Sequence, residues 1–304
     1  MNILKKIFSI KNEYVDFLET KIITILGIKF KFVKINNRGL LNKLKKYHTI
    51  EKFITGENNQ IYSIDDDGNK IEITQKEKGL PFYIKGDNNR IIFHRSKENL
   101  DILPKGLIIK IKGSNNNIEI YEPNFADSMI YMYKDNNSFS LGPTTKEVWG
   151  AYFNIERGAS ITIEENCELG NGKFRCFANG DYLNKHKVVI RKGTHIAHDV
   201  VIRNSDGECI IDPITKEGLS EPQDIIIGEN CWITTRSTIL KGVTLPPNTI
   251  VASNSLVNKK FEKEYTLIGG IPARILKEDI YWVPHNYGEY MEMREKEQSE
   301  SEKV

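Results

Sequence analysis

The strongest constraint in this sequence is a six-residue period in its carboxyl-terminal third. From residue 227 to residue 257 an aliphatic side chain recurs at every sixth position. This spacing matches neither the period of an α-helix nor the two-residue period of a single strand. If three such units make one coil of a triangular prism, every sixth side chain points at a shared axis. Because one coil cannot bury its apolar side alone, the coils must stack, and the period predicts an all-β solenoid. The residues in register are Ile227, Ile233, Ile239, Leu245, Val251 and Val257.

The same pattern extends upstream with interruptions. Further coils are predicted over residues 155–169 and 190–202. Residues 207–225 lose the period and contain Pro213, Gly218 and Pro222, which predicts a loop ejected from the prism. A second irregular stretch is predicted at 175–187, and the prism is predicted to end after residue 257. Loops on a rigid scaffold are common places for chemistry, so 207–225 is the first candidate site.

Residues 51–150 contain a looser repeat of short aliphatic strands joined by turns that carry Asn-Asn pairs. Asn and Gly tolerate positive φ angles, so these pairs are expected to turn corners rather than to bind sugar. The irregular spacing predicts a degenerate β-solenoid or a sandwich-like stack. The four clearest copies are residues 56–61, 86–91, 113–118 and 134–139.

Charge is distributed unevenly along the chain. The formal net charge is +2, but residues 1–50 carry eleven Lys/Arg against three acidic residues, a net of +8, so the remainder has 2 − 8 = −6. A nucleic-acid-binding protein would more often place its basic face on the folded core. The basic amino-terminal arm, in which residues 29–34 alternate like a strand, therefore predicts either contact with an anionic membrane or a cap on the solenoid. Residues 276–304 form an acidic tail that is predicted to be partly helical.

Cysteine usage and hydropathy point to the cytoplasm. Cys167, Cys176, Cys209 and Cys231 include no Cys-x-x-Cys pair, which predicts four buried, reduced thiols. No apolar run approaches the ~20 residues that span a bilayer. The first residues lack the long apolar region and cleavage site of a signal peptide, and we expect peripheral contact with the inner membrane at most.

Three motifs lie between residues 190 and 277. They read Val-Ile-Arg-Asn-Ser-Asp-Gly at 201–207, Ile-Gly-Glu-Asn-Cys-Trp-Ile at 227–233, and Gly-Gly-Ile-Pro-Ala-Arg at 269–274. On these motifs the sequence resembles the hexapeptide-repeat, left-handed β-helix acetyltransferases, in the branch that O-acetylates bacterial surface polysaccharides and sialic acids. The resemblance implies left-handed coils, a homotrimer, acetyl-CoA as co-substrate in a cleft between neighbouring prisms, and no metal. It implies a saccharide hydroxyl as acceptor, with sialic acid of a lipooligosaccharide or capsule as one candidate.

One position departs from the family pattern. In the family a histidine follows the Ser-Asp-Gly run and acts as general base, whereas this sequence has Glu208. Trp232, 24 residues further on, matches a tryptophan expected to close the acyl or acceptor pocket. Glu208 could be the base if burial raised its pKa from about 4.3. Alternatively His195 or His198 on the preceding coil could supply the imidazole, or the chain could be catalytically weak. Asp206 could orient the base or simply form a turn.

The resemblance also implies which residues meet the cofactor. Small groups on a late coil would meet the pantetheine arm, cations would meet the phosphates, and the 269–274 motif would complete the site. Two other functions stay open: a non-catalytic binding or scaffold protein on the same prism, and a sugar N-acetyltransferase. The predicted organisation is an arm or cap at 1–50, an Asn-rich β-repeat region at 51–150, the acetyltransferase β-helix at 151–275 and the tail at 276–304. The candidate cofactor-binding residues are Lys241, Ser253, Asn254, Lys259, Ile271, Pro272, Ala273 and Arg274.

Overall fold

The computed structural model describes residues 8–15, 18–25, 28–35, 54–73, 82–100, 106–121, 124–170, 172–181 and 183–301. The first three ranges form an antiparallel sheet of β1 (Phe8–Val15), β2 (Leu18–Ile25) and β3 (Ile28–Ile35). The strand predicted over residues 29–34 is therefore confirmed. The rest of the predicted arm or cap, including residues 36–50, lies outside the described residues.

From residue 54 the chain winds into a three-faced parallel β-helix. Successive strands pass from the first face to the second and then to the third, so most strands pair in parallel with the strand one coil away. The first face contains β4 (Ile54–Thr55), β7 (Phe82–Lys85), β9 (Leu107–Lys112), β12 (Ser128–Tyr133), β15 (Ala151–Glu156), β18 (Phe174–Asn179), β21 (Val201–Arg203), β24 (Thr238–Ile239) and β27 (Leu256–Val257).

The other two faces follow the same stacking rule. The second face contains β5 (Gln60–Ile64), β6 (Lys70–Glu72), β8 (Arg90–His94), β10 (Asn117–Tyr121), β13 (Ser138–Leu141), β16 (Ser160–Ile163), β19 (Lys187–Ile190), β22 (Ile225–Ile227) and β25 (Thr244–Leu245). The third face contains β17 (Glu168–Leu169), β20 (His195–Ile196), β23 (Trp232–Ile233), β26 (Ile250–Val251), β28 (Thr266–Gly270) and β29 (Ala273–Glu278). A two-stranded pair of β11 (Phe125–Ala126) and β14 (Val148–Trp149), a short 3₁₀ helix (Lys97–Asn99) and α1 (Tyr287–Ser301) complete the elements.

The six-residue period is confirmed as the source of the core. Ile227 pairs with Leu245, and Ile233 pairs with Val251 one coil later on the next face. Both isoleucines are fully buried, and the aliphatic residues of all three faces join one continuous core. Burying one such side chain stabilises the fold by roughly 1.5–3 kcal/mol. The stacked coils therefore hold the faces in fixed register.

The Asn-rich half belongs to the same solenoid. The first Asn of the pairs turns the corner, with φ angles of 56° at Asn58, 54° at Asn88 and 57° at Asn115. This confirms the predicted corner role. The second Asn points inward: the side chain of Asn116 donates to Asn89 Oδ1 at 2.9 Å, and each such residue bonds to its equivalent one coil away. The region is thus a regular β-solenoid with an internal ladder of amides, rather than a sandwich-like stack.

Three further expectations need correction. Residues 174–179 form the regular strand β18, so the irregular stretch predicted at 175–187 is confined to residues after Asn179. The third face continues beyond residue 257 through β28, and β29 folds back on it antiparallel. Cys209 is exposed, while the other three thiols are buried. Among the described residues, no helix has the length and apolar character needed to cross a membrane.

Candidate active site

The predicted loop leaves the prism between β21 and β22, at the edge shared by the first and second faces. At its start, Asn204 Oδ1 accepts the backbone N–H of Asn179 at 2.7 Å, and Asn204 Nδ2 donates to the Asn179 carbonyl at 2.9 Å. At its end, the N–H of Gln223 donates to the Asn204 carbonyl at 2.9 Å. Inside the loop, the Ser220 hydroxyl donates to the Glu208 carbonyl at 3.0 Å. Because both ends are fastened to the prism, the backbone at Glu208 has a defined position.

A pocket of about 470 Å³ lies where this loop meets the prism. Its charged lining residues are Arg157, Asp181, Glu208 and Glu221, and Cys209 also lines it. Glu208 itself is exposed. The pocket therefore offers one cation among carboxylates. This combination can hold a polar, hydroxyl-rich ligand through Arg157 and accept a proton from it at a carboxylate.

Asp206 and Lys241 form an ion pair beside this pocket. Lys241 Nζ donates to Asp206 Oδ2, which links the loop to the following coil. Both side chains keep solvent access, so the pair adds roughly 0–1 kcal/mol to stability. Each residue was predicted for another role, Asp206 behind a base and Lys241 at a cofactor phosphate. The structure pairs them with each other, and both predicted roles stay predictions.

An imidazole that no sequence motif predicts, that of His186, lies at the mouth of the loop. His186 Nδ1 lies 3.4 Å from Asp224 Oδ1, and its Nε2 lies 3.5 Å from Asp181 Oδ2. One ligand atom from each of Asp181, His186 and Glu221 lies within 4.8 Å of the others, which is close enough for shared contact with one cation. Hydrogen bonds from the backbone and side chain of Asn184, together with His186, lower the pKa of Asp181. These residues have no sequence motif in common, so only the fold could reveal the group.

A second group of predicted residues lies on the third face. The strand register places His195 next to Trp232 on neighbouring strands, and Glu168 precedes them in the same column. His195 Nδ1 lies 3.5 Å from Glu168 Oε2. Burial lowers the pKa of His195 below its ordinary 6.5, with a smaller effect from Lys146, although the Glu168 charge opposes the change. The imidazole is therefore predominantly neutral at neutral pH and can accept a proton.

Trp282 covers this part of the third face. Its indole N–H donates to the Asn230 carbonyl at 2.6 Å, and its ring lies 5.6 Å from the Trp232 ring and 5.8 Å from the His195 ring. Trp282 lies beyond the three sequence motifs, the last of which ends at residue 274. The fold brings it back, so Trp232, Trp282 and His195 form one aromatic cluster. Trp232 keeps 36% of its surface exposed and remains open to a ligand.

The edge between the third and first faces carries the remaining predicted polar residues. The Asn254 N–H donates to the Thr235 carbonyl at 3.0 Å, and the Arg236 N–H donates to the His198 carbonyl at 3.2 Å, so these corners stack coil on coil. The Ser253 hydroxyl donates to Thr234 Oγ1 at 3.1 Å. His198, Ser253 and Asn254 are all exposed along this edge.

The other predicted cofactor residues surround the β28–β29 hairpin. Ile271 precedes Pro272 in a cis peptide and is 75% exposed, while Ala273 is buried. Arg274 is exposed, and Lys259 Nζ lies 5.3 Å from the centre of the Phe261 ring. These cations remain accessible to an anionic ligand.

The predicted site residues therefore fall into two groups in one chain. Glu208, Asp206 and Lys241 lie at the first–second edge. His195, His198, Trp232, Ser253 and Asn254 lie on the third face or its edge with the first. Among the described residues that line the loop pocket, neither predicted histidine nor Trp232 is present.

Known acyltransferases resemble the chain in sequence and in fold. A polysialic acid O-acetyltransferase of Neisseria meningitidis is 30% identical over 174 residues, 57% of this chain and 78% of the relative. A polysialic acid O-acetyltransferase of Escherichia coli O1:K1 is 29% identical over 126 residues, 41% of this chain and 39% of the relative. The crystal structure of the polySia-specific acetyltransferase NeuO superposes with a TM-score of 0.58 at 21% identity, covering 77% of this chain and 82% of that one. No protein-family profile matches the sequence.

The chain belongs to the hexapeptide-repeat acetyltransferases, in the branch of the polysaccharide and sialic acid O-acetyltransferases. This confirms the predicted family and the assignment as an acyltransferase. The superposition, together with the parallel strand pairing, also confirms the left-handed β-helix.

Proposed function

We propose that this protein transfers an acetyl group from acetyl-CoA to a hydroxyl of an anionic bacterial surface saccharide, with sialic acid as the acceptor sugar. The observation that carries the proposal is the loop pocket, which both Glu208 and Arg157 line. By the sequence motif, Glu208 stands where the family has its base. A guanidinium suits the carboxylate of an acidic sugar because it can bind both oxygens. The named activity of the two curated relatives supports the same acceptor class.

We further propose that a complete site needs two copies of the chain in a homotrimer. The loop group and the third-face group are separate in one prism, and each supplies only part of an acyl-transfer site. In a cyclic trimer the contact is head-to-tail, so the first–second edge of one copy meets a different surface of the next. Placing the loop of one copy against the third face of its neighbour would bring Glu208 to Trp232 and His195. Acetyl-CoA would then lie in the cleft between the two prisms.

The reaction needs no group beyond these side chains and the two substrates. A base takes the proton of the acceptor hydroxyl as the oxygen attacks the thioester carbonyl. The tetrahedral intermediate collapses, the carbon–sulfur bond breaks, and the CoA thiolate leaves and takes up a proton. The products are the O-acetyl saccharide and free CoA, so atoms and charge balance without a metal.

Two kinds of base are compatible with the proposal. Glu208 lies in the pocket and would act as a carboxylate. His195 has a lowered pKa and faces Glu168, so a proton on Nδ1 leaves the Nε2 lone pair free to accept another. His198, on the adjacent edge, is a further imidazole within the same group. Ser253 and Asn254 would meet the pantetheine arm along this edge, and Lys259 and Arg274 would meet phosphates.

The direct test combines acetyl-CoA with the purified chain and a sialic acid polymer. We expect free CoA to appear by chromatography in step with acetylated acceptor, and the acetyl group to be removed by mild base, as an ester is. An acetyl group that survives mild base would indicate N-acetylation instead. Binding of both substrates with no CoA release would favour the scaffold alternative, which the carboxylate at position 208 keeps open.

We also propose that the enzyme acts in the cytoplasm and that residues 1–50 hold it at the inner membrane. The support is the net charge of +8 in this segment, which favours anionic lipid headgroups. Flotation of the full chain with anionic vesicles, compared with neutral vesicles, tests this location. Equal recovery with both vesicle types would contradict it.

A further inference from the structure

The outward side of the first face carries an ordered array of aromatic and cationic side chains between β7 and β21. Strand pairing aligns these residues in columns that run along the prism axis, one residue per coil. The middle column is Tyr83, Lys110, Tyr131, Asn154, Phe177 and Arg203. The column beside it is Lys85, Lys112, Tyr133, Glu156 and Asn179.

Within this array the rings and cations contact one another. Lys110 Nζ lies 5.7 Å from the centre of the Tyr83 ring and 5.3 Å from that of Tyr131. The Tyr131 and Tyr133 rings lie 6.3 Å apart. Each of these side chains is half-buried, so one part of its surface faces solvent. Such a surface presents flat apolar rings for stacking together with positive charge, and only Glu156 adds a negative charge to the two columns.

The second face offers a contrast at the same height of the prism. Its outward column over β13 and β16 contains small hydroxyl residues, where Ser138 pairs with Ser160 and Ser140 pairs with Thr162. Hydroxyls of this kind satisfy the solvent side of a strand without presenting a ring or a charge. On these two coils the second face therefore lacks the outward rings that the first face has at Tyr131 and Tyr133. Nearer its amino-terminal end the second face does have such a pair, since the Lys70 side chain lies over the Tyr62 ring.

Both columns lead to the loop pocket. Asn179, at the end of one column, lines the pocket. Arg203, at the end of the other, donates from Nε to the Ser205 carbonyl at 2.9 Å, and Ser205 also lines the pocket. Six strands from β7 to β21 are five steps of about 4.8 Å, so the array extends about 24 Å away from the pocket. This length suits several consecutive sugars of one chain.

We propose that this surface, the first face from β7 to β21, binds an anionic polysaccharide chain and presents one of its sugars to the pocket. Lysine and arginine side chains would pair with the carboxylates of the polymer, and the tyrosine rings would stack against the apolar faces of the sugars. The proposal rests on the proposed function for the pocket, since it names where the rest of that acceptor lies. It predicts that long acceptors bind more tightly than short ones.

The test measures binding of long-chain polysialic acid and of a short oligomer in the absence of acetyl-CoA. The variants are Lys110→Glu and Tyr131→Ser. The control is Lys70→Glu, because Lys70 Nζ also lies over a tyrosine, 3.6 Å from the centre of the Tyr62 ring, but on the second face. We expect each first-face variant to weaken binding of the long chain about tenfold and to leave the short oligomer unchanged. In turnover assays KM for the long chain should rise while kcat stays the same.

Two binding results would contradict the proposed binding surface. The first is unchanged affinity for the long chain in both first-face variants. The second is an equal loss of affinity in the Lys70→Glu control, because such a loss would reflect net charge alone. A change in oligomeric state by light scattering would show that the face contacts a second copy of the chain instead. Acetyl transfer to short and long acceptors with equal KM would refute the proposed binding surface but agree with the proposed function. Long-chain binding without any acetyl transfer would support the binding surface and refute the proposed function.

Discussion

Replacing Asn116 with alanine should destabilise the solenoid far more than its position at a turn suggests. Asn116 is 1% exposed. Its Nδ2 donates to Asn89 Oδ1 at 2.9 Å, and its Oδ1 accepts the N–H of Asn137 at 3.0 Å and the Nδ2 of Asn137 at 2.8 Å. The substitution removes three buried side-chain hydrogen bonds. At roughly 1 kcal/mol each, the expected loss is about 3 kcal/mol, because the Asn137 N–H is then left buried without this acceptor.

The neighbouring residue provides a matched control. Asn115 is exposed and has a φ angle of 57°, a conformation that glycine adopts without steric cost. Asn115→Gly should therefore change the free energy of unfolding by less than about 0.5 kcal/mol. Urea unfolding followed by circular dichroism measures both variants, with an unchanged m-value as the condition for comparison. If Asn116→Ala is as stable as the wild type, or if both variants lose the same free energy of unfolding, the amide ladder does not stabilise the solenoid as argued.

Three other expectations concern the site. Glu208→His should raise the rate of acetyl transfer because an imidazole is the stronger base near neutral pH, and an unchanged or abolished rate would contradict this. The pKa of His195 should lie below 6.5 when its titration is followed by NMR, and a midpoint above 6.5 would contradict this. Because the unfolded chain then binds the proton more readily than the folded chain, the contribution of His195 to stability is present above pH 6.5 and is lost on acidification. Cys209 should react rapidly with a maleimide, whereas burial raises the pKa of Cys167 and of Cys231 to about 12 and should keep both inert in the folded chain. Rapid labelling of either buried thiol under native conditions would refute the assigned burial.

The core could be predicted from the sequence because its signal is local and periodic. Ile227, Ile233 and Ile239 occupy three different faces, and yet one spacing rule places all of them inside. The loop was also predictable, since the loss of that period coincides with proline and glycine. Strand β18 was missed because Cys176 and Ala178 fill its inward positions, and such small residues do not register as aliphatic.

The candidate site was less predictable because its members meet only through the fold. Trp282 lies 50 residues from Trp232 in sequence and still packs against it. His186 belongs to no motif, and its partners come from both sides of the loop. His195 and Glu208 seemed close because they are one coil apart along the chain. A prism has three faces, however, and residues on successive coils converge only when they share a face or an edge.

The most direct test of the two-copy site is complementation between inactive variants. Glu208→Ala and Trp232→Ala, each purified alone, should transfer little acetyl. If the two are co-expressed with different tags and mixed trimers are isolated, each mixed trimer should contain one functional site of three, with an intact loop from one copy and an intact third face from its neighbour. Acetyl transfer near a third of the wild-type rate is the predicted result. Mixed oligomers that remain as inactive as their parents would contradict a site shared between neighbouring chains.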